Sequence, residues 1–212
     1  LQKIIVYDDF FDDPIRIREV ALEADYTDVQ SLNYPGFQSV RSYASRSMRA
    51  AFESITGQAL EIDPAKLTFG KFRIMLSSTG SRLKIHVDGA ADWTGLIYLN
   101  TSEQCRGGTA FYRHRRSGLE GPPTEMEARR LGISNLEEFE AKIVEPDTLD
   151  TNAWEQTTFV GMRFNRLILF RGAELFHCHT CSWGTTKEDG RLTQNFFFNS
   201  SPVFERSASY GG

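Results

Sequence analysis

His86-Val87-Asp88 sets an imidazole and a carboxylate two residues apart in a segment with strand character. Alternate side chains on a strand point the same way, so both groups can face one metal ion. Two further imidazoles lie late in the chain, within Leu175-Phe176-His177-Cys178-His179. One of them would complete a set of two histidines and one carboxylate. Such a set leaves coordination positions open and suits ferrous iron. Arg191-Leu192-Thr193 follows a glycine and places a guanidinium and a hydroxyl on one strand face. A planar, always-charged guanidinium pairs bidentately with a carboxylate, and the neighbouring hydroxyl can add a hydrogen bond. Each signal alone has a bland explanation: a strand-end histidine bonded to a turn aspartate, or a surface arginine. Their conjunction argues for a metal centre with a carboxylate seat beside it.

These residues need elements to position them. Asp13-Pro14 reads as an N-cap and first helical residue, opening a helix to about Ala24 with Ile17, Val20 and Ala21 inward. A second helix is expected from Ser45 to Ile55, with Met48, Phe52 and Ile55 on one face and Gly57 beyond its end. Residues 1–6 look like a strand. From Leu67 the period shortens, and strands are expected over 67–76, 83–87, 94–99, 109–112, 157–160, 166–170, 174–179 and 192–198, with a turn over 77–81. Helices followed by many short strands predict a mostly β fold with flanking helices. Its form is an antiparallel double sheet, the N-terminal helices covering one side. The polar stretch Arg113–Glu155 breaks the rhythm, with helix-like pieces at 124–131 and 135–143. It reads as an insertion of about 113–155, placed as a lid over the mouth of the barrel or as a solvated excursion.

Together the motifs resemble the Fe(II)/2-oxoglutarate-dependent dioxygenases, on the branch that looks like prolyl 4-hydroxylases. The likeness runs from about Phe72 to Asn199. It is densest at His86-Val87-Asp88, at the "YLN" strand Thr94–Asn100, and at the "GGxxxF"-like strand Gly107–Tyr112. Asn165–Phe170 resembles the strand before the distal histidine, and Arg191-Leu192-Thr193 matches the family's R-x-S/T pair. The resemblance implies one domain over residues 1–212, a double-stranded β-helix (jelly roll, cupin-like). It implies that His86, Asp88 and a late histidine bind Fe(II). His177 is favoured because "LFH" closes the strand as in the family, with His179 as the alternative third ligand. Arg191, helped by Thr193 and Tyr98, would hold the outer carboxylate of 2-oxoglutarate. O₂ would be the oxidant and ascorbate an accessory reductant. Halogenating relatives lack the carboxylate, so Asp88 points to hydroxylation of a small-molecule, amino-acid or peptidyl substrate. Two departures stand out: Leu76 replaces a tyrosine that touches the cosubstrate, and Cys178–Gly190 is longer than usual. The rival readings are a cupin-like metalloenzyme without 2-oxoglutarate, which would not require Arg191, and a non-catalytic jelly-roll binding domain.

Bulk properties set bounds on partners. The 212 residues suit one domain. A formal net charge of -4 disfavours nucleic acid, whose binders carry a basic excess. No apolar run spans a bilayer. Cys105, Cys178 and Cys181 give no disulfide framework, so a cytoplasmic location is the simpler expectation. Cys178–Cys181 forms a C-x-x-C without the second ligand pair of a zinc site or the βαβ setting of a redox motif. The run Arg113–Arg116 reads as a solvated loop. Trp93, Trp154 and Trp183 read as packing residues, with Trp93 or Trp183 near enough in sequence to the ligands to line a pocket.

Overall fold

In the computed structural model, which describes residues 2–29, 36–79, 84–89 and 91–202, both N-terminal helices start where their caps put them. Helix α1 (Pro14–Glu23) opens with the Asp13 carboxylate accepting from the Arg16 amide. Helix α2 (Arg46–Thr56) opens on the Ser45 hydroxyl and closes at Gly57, whose φ of 65° suits a residue without Cβ. Ala21, Met48 and Phe52 face inward from these helices.

The strands are β1 (Ile4–Tyr7), β2 (Tyr26–Asp28), β3 (Phe37–Ser39), β4 (Gln58–Glu61), β5 (Phe69–Met75) and β6 (Trp93–Tyr98). They continue with β7 (Gly108–His114), β8 (Trp154–Gly161), β9 (Leu167–Phe170), β10 (Phe176–His179) and β11 (Arg191–Pro202). The large sheet has the order β1-β9-β6-β11-β5-β3-β2, with β4 paired to the far end of β11. The small sheet has the order β10-β7-β8. An isolated antiparallel bridge adds His86 to its β10 edge, opposite His177. From β5 the chain visits the large sheet, the small sheet at His86, the large at β6, the small at β7 and β8, then large, small and large again. Winding alternately between two antiparallel sheets produces a double-stranded β-helix, or jelly roll, and the sequence expectation holds.

Period-two alternation assigns the faces. Trp93 and Ile97 of β6, Phe72 and Ile74 of β5, and Leu192, Phe196 and Phe198 of β11 pack with α1 and α2 into the main core. Their strand neighbours Thr94, Leu96, Arg73, Met75, Arg191 and Asn195 point the other way, into the space between the sheets.

The segment joining β7 to β8 contains α3 (Glu125–Leu131), with a capping box at Thr124, and α4 (Leu136–Phe139), which runs into a π-helical turn over Glu140–Val144. Leu119, Ile133, Phe139, Val144 and Trp154 form a second core with Phe176 and Cys178 of β10. The sequence reading allows this segment to be a lid over the mouth or a solvated excursion. Its apolar residues instead cover the outer face of the small sheet, and none of its residues between 115 and 153 lines either cavity at the site. Burying that outer face is the stronger demand, because β10 presents Phe176 and Cys178 there. The expected strand over 83–87 reduces to the bridge at His86, and position 83, like positions 80 and 81 of the expected turn, lies outside the described residues. The short strands β2, β3 and β4 were not anticipated. No helix among the described residues is long and apolar enough to cross a membrane.

Candidate metal centre

His86, Asp88 and His177 offer ligand atoms that all lie within 4.8 Å of one another. The Nε2 atom of His86 is 3.5 Å from Asp88 Oδ1, and that of His177 is 3.3 Å from Asp88 Oδ2. The fold produces this convergence through the backbone. The His86 amide donates to the His177 carbonyl at 3.2 Å, and the His177 amide donates to the His86 carbonyl at 2.9 Å. The two histidines are therefore cross-strand partners. Each ring has its Nδ1 2.8 Å from a carbonyl two residues earlier, Lys84 for His86 and Leu175 for His177. A carbonyl can only accept, so Nδ1 carries the proton and each Nε2 lone pair is free for a metal. Asp88 is held as firmly: its amide donates to the Gly172 carbonyl at 2.9 Å, and Thr94 Oγ1 donates to Oδ2 at 2.5 Å.

Electrostatics agree with a cation site. Burial alone would raise the Asp88 carboxyl, yet the His177 and His86 imidazoles outweigh it and hold it well below the usual carboxylate range. Burial likewise opposes a charge on His86, but the Asp88 carboxylate more than offsets this and raises its pKa. Two oriented imidazole nitrogens and one buried carboxylate form a donor set that fits a divalent transition metal.

Gly172 makes this arrangement possible. A Cβ at that position would press into Thr94 Oγ1 and lie 2.5 Å from Asp88 Oδ2. Gly172→Ala is expected to displace the carboxylate and weaken metal binding by about 10–100-fold, the usual effect of losing ligand support. Calorimetric metal titration checks this, with circular dichroism to confirm folding. Unchanged affinity would show that the carboxylate does not depend on this close approach.

Beside the three groups lies an inner cavity of about 80 Å³, lined among others by Arg73, Met75, Leu96, Thr109, His179, Arg191 and Asn195. Arg191 is 3% exposed. Its Nε and Nη2 have no hydrogen-bond partner among the described residues, and its Nη1 reaches only Met75 Sδ, at 3.7 Å. Asn100 fixes the start of this strand, donating to the Gly190 carbonyl and accepting from the Leu192 amide. Tyr98 lies with its ring centroid 5.7 Å from the guanidinium, and its hydroxyl is 2.8 Å from Thr109 Oγ1. The Thr193 hydroxyl donates to Asn195 Oδ1. His179 lines the cavity but stays outside the three-residue cluster. Burial first, then Arg191, Arg73 and His86, push its pKa down to about 3. Leu76 packs against the main core, and Met75 and Arg73 of the neighbouring strand line this cavity.

An outer cavity of about 350 Å³ adjoins the same cluster, lined by Gln38, Lys66, Leu67, Thr68, Phe197 and residues 86–89 and 91. His86, Asp88 and Phe197 line both spaces.

The sequence model of a protein family described as "Family of unknown function (DUF6445)" matches residues 1–198. The chain belongs to DUF6445. No curated protein matches the sequence. Among solved structures, two of HygX from Streptomyces hygroscopicus are similar to this DUF6445 chain. One has nickel and 2-oxoglutarate bound and the other has hygromycin B as well. Each is 15% identical with a TM-score of 0.46, over 95% of this chain and 84% of that one.

Other sequence features of the DUF6445 chain serve packing. Trp93 stacks on Phe198 and under Arg171, and Trp154 packs on His114 and Phe176. The run Arg113–Arg116 is only partly a solvated loop. Arg113 pairs with Glu120 and Glu155, whereas His114 is buried and bonded to Ser117 and Asp147. Cys178 and Cys181 are free thiols; Cys178 sits in the outer core of the small sheet, and Cys181 lies against Gly107. Burial pushes the Cys178 thiol up to about 11. At pH 8 roughly 0.1% of it is thiolate. Iodoacetamide is therefore expected to label Cys178 at least about 100-fold more slowly in the folded than in the urea-unfolded chain, as followed by peptide mass spectrometry.

Proposed function

We propose that this chain is a non-heme Fe(II)- and 2-oxoglutarate-dependent oxygenase that hydroxylates a small organic substrate. The observation that carries the reading is Arg191. A buried guanidinium with unsatisfied N–H groups, in the same cavity as two oriented histidines and an aspartate, requires an anion to complete it. A cosubstrate that chelates the metal at one end and offers a carboxylate at the other meets both needs.

His86, Asp88 and His177 would hold the iron. Bound iron would supply the oxidising power: one O₂ is consumed, 2-oxoglutarate becomes succinate and CO₂, and a substrate C–H becomes C–OH. The chain's own part is to orient and to exclude water. Arg191 would bind the outer carboxylate. Tyr98 and Thr193 serve as positioning residues, Tyr98 through its ring beside the guanidinium and Thr193 through Asn195 in the cavity wall. The outer cavity, sharing His86 and Asp88, is the place for substrate. The likeness to prolyl 4-hydroxylases rests on motifs and does not extend to a choice of substrate.

The test is succinate release from 2-oxoglutarate with Fe(II), ascorbate and O₂, across amino acids, peptides and extracted metabolites. Succinate should form with the native chain and not with the Asp88→Ala variant. Metal binding without any 2-oxoglutarate binding would favour a cupin-like enzyme of another kind. Neither metal nor 2-oxoglutarate binding would leave a non-catalytic binding domain.

A further inference from the structure

We infer that the substrate is an elongated amphipathic anion, with its reacting end in the outer cavity and its anionic group, remote from the oxidised carbon, beside Lys71. This rests on the oxygenase reading and adds a substrate class to it. A third cavity, of about 460 Å³, adjoins the outer one, and Lys66, Leu67 and Thr68 line both. The ridge between the two spaces is fixed by the backbone. The Asp63 carboxylate accepts from the Ala65 amide, and the Asp63 carbonyl accepts from the Lys66 and Leu67 amides. The Phe197 amide donates to the Thr68 carbonyl at 2.7 Å. Each space is by itself of small-ligand size, so a molecule that fills both is elongated.

The third cavity has an apolar floor and one unmet charge. Ile62, Pro64, Leu67 and Phe69 supply the floor, and no acidic side chain lines it. Leu67, Val87, Ala91 and Phe197 continue the apolar surface through the outer cavity towards the centre. Of the two lysines in the third cavity, Lys66 is 80% exposed and 3.6 Å from Asp63. Lys71 is half-buried, and its ammonium has no ion pair or hydrogen bond among the described residues. An ammonium at the edge of an apolar space, with no acid beside it, draws in an anion while its stem covers apolar surface. It acts as a point charge, so carboxylate, sulfonate and phosphate all suit it. Register sets its distance from the cosubstrate. Lys71 and Met75 lie on one face of β5, opposite Asn195 and Arg191 of β11. Four residues of strand separate them by about 13 Å. The outer cavity meets the metal centre at His86 and Asp88 and the third cavity at residues 66–68. The order is therefore metal, outer cavity, ridge, Lys71.

The experiment uses the full chain loaded anaerobically with Mn(II) and 2-oxoglutarate, so that Arg191 is occupied. Butane-, hexane- and octanesulfonate are each compared with the matching alcohol by calorimetry. At least one sulfonate should bind about 10-fold more tightly than its alcohol, the lower end for a hydrogen bond to a charged group. Lys71→Met, which keeps the apolar stem, should remove that preference and leave the affinities for alcohol and 2-oxoglutarate unchanged. Lys71→Glu is the companion variant and should bind octylammonium in preference to octanesulfonate. Proton relaxation by Mn(II) reads the orientation: the terminal methyl of the bound sulfonate should relax faster than the methylene next to sulfur. Equal affinity of sulfonates and alcohols would overturn the proposal, as would a preference that survives Lys71→Met or fails to reverse in Lys71→Glu. Faster relaxation at the sulfonate end, or at neither end, would overturn it too. If 2-oxoglutarate does not bind the native chain but the Lys71-dependent preference and the relaxation gradient remain, the anion seat stands and the oxygenase reading fails.

Discussion

Replacing Asp88 with alanine is expected to lower affinity for Fe(II), or for Ni(II) as its substitute, by more than about 100-fold, since even losing a ligand's support costs 10–100-fold. Asp88 lies between both imidazoles and is fixed by the Gly172 carbonyl and the Thr94 hydroxyl. The same substitution should reshape the pH dependence of stability in the metal-free chain. The Asp88 pKa is depressed in the fold, so its contribution is present above the ordinary carboxylate range and is lost as pH falls through the folded value. The His86 pKa is raised, so its contribution is present below about 6.5 and is lost as pH rises through the folded value. Removing Asp88 removes the cause of both shifts and should flatten both limbs. Anaerobic calorimetry measures the affinity, and urea unfolding in chelator from pH 3 to pH 9 measures the limbs. Undiminished metal affinity in Asp88→Ala would remove the aspartate from the centre.

Arg191→Met should have two effects of opposite sign. With metal present, affinity for 2-oxoglutarate should fall by at least about 30-fold, the lower end for losing one partner of a buried charge pair. Without ligands, the same variant should be more stable than the native chain, by about 1–4 kcal/mol. An apolar side chain then replaces a buried guanidinium with two unsatisfied nitrogens. Unfolding in urea with and without 2-oxoglutarate reads both numbers. A variant that binds 2-oxoglutarate normally would exclude Arg191 as the carboxylate seat; a variant destabilised without ligand would show that the guanidinium has a structural role instead. Metal affinity should not change, which separates this site from Asp88.

The residue types of the centre were legible in the sequence because His86-Val87-Asp88 and Arg191-Leu192-Thr193 are local patterns on strands. The choice between His177 and His179 was harder. Both share a strand face, so periodicity treats them alike. Pairing decides the cluster: His177 bridges His86, whereas His179 lies two residues on, opposite Thr109. Arg73 was missed because an arginine between Phe72 and Ile74 looks like the solvent side of a half-buried strand. In a double sheet that other side is the interior, and only the presence of the second sheet reveals it. The cap at Asp13 marked a helix start from sequence, since it rests on one short-range hydrogen bond, and the helical stretches expected from Ser45 and Thr124 prove to open on capping hydroxyls of the same kind. The face covered by the segment between β7 and β8 was not legible, because Phe139, Val144 and Trp154 announce burial without naming a partner.

Reciprocal amide bonding between positions 86 and 177 has a consequence for assembly. Shifting one strand past the other by a single residue would swing one imidazole to the opposite face and empty the centre. A competent centre therefore certifies that the two halves of the β-helix have closed in register. An ion seated there would latch that closure, and hydrogen exchange at these two amides would slow together when the ion is added.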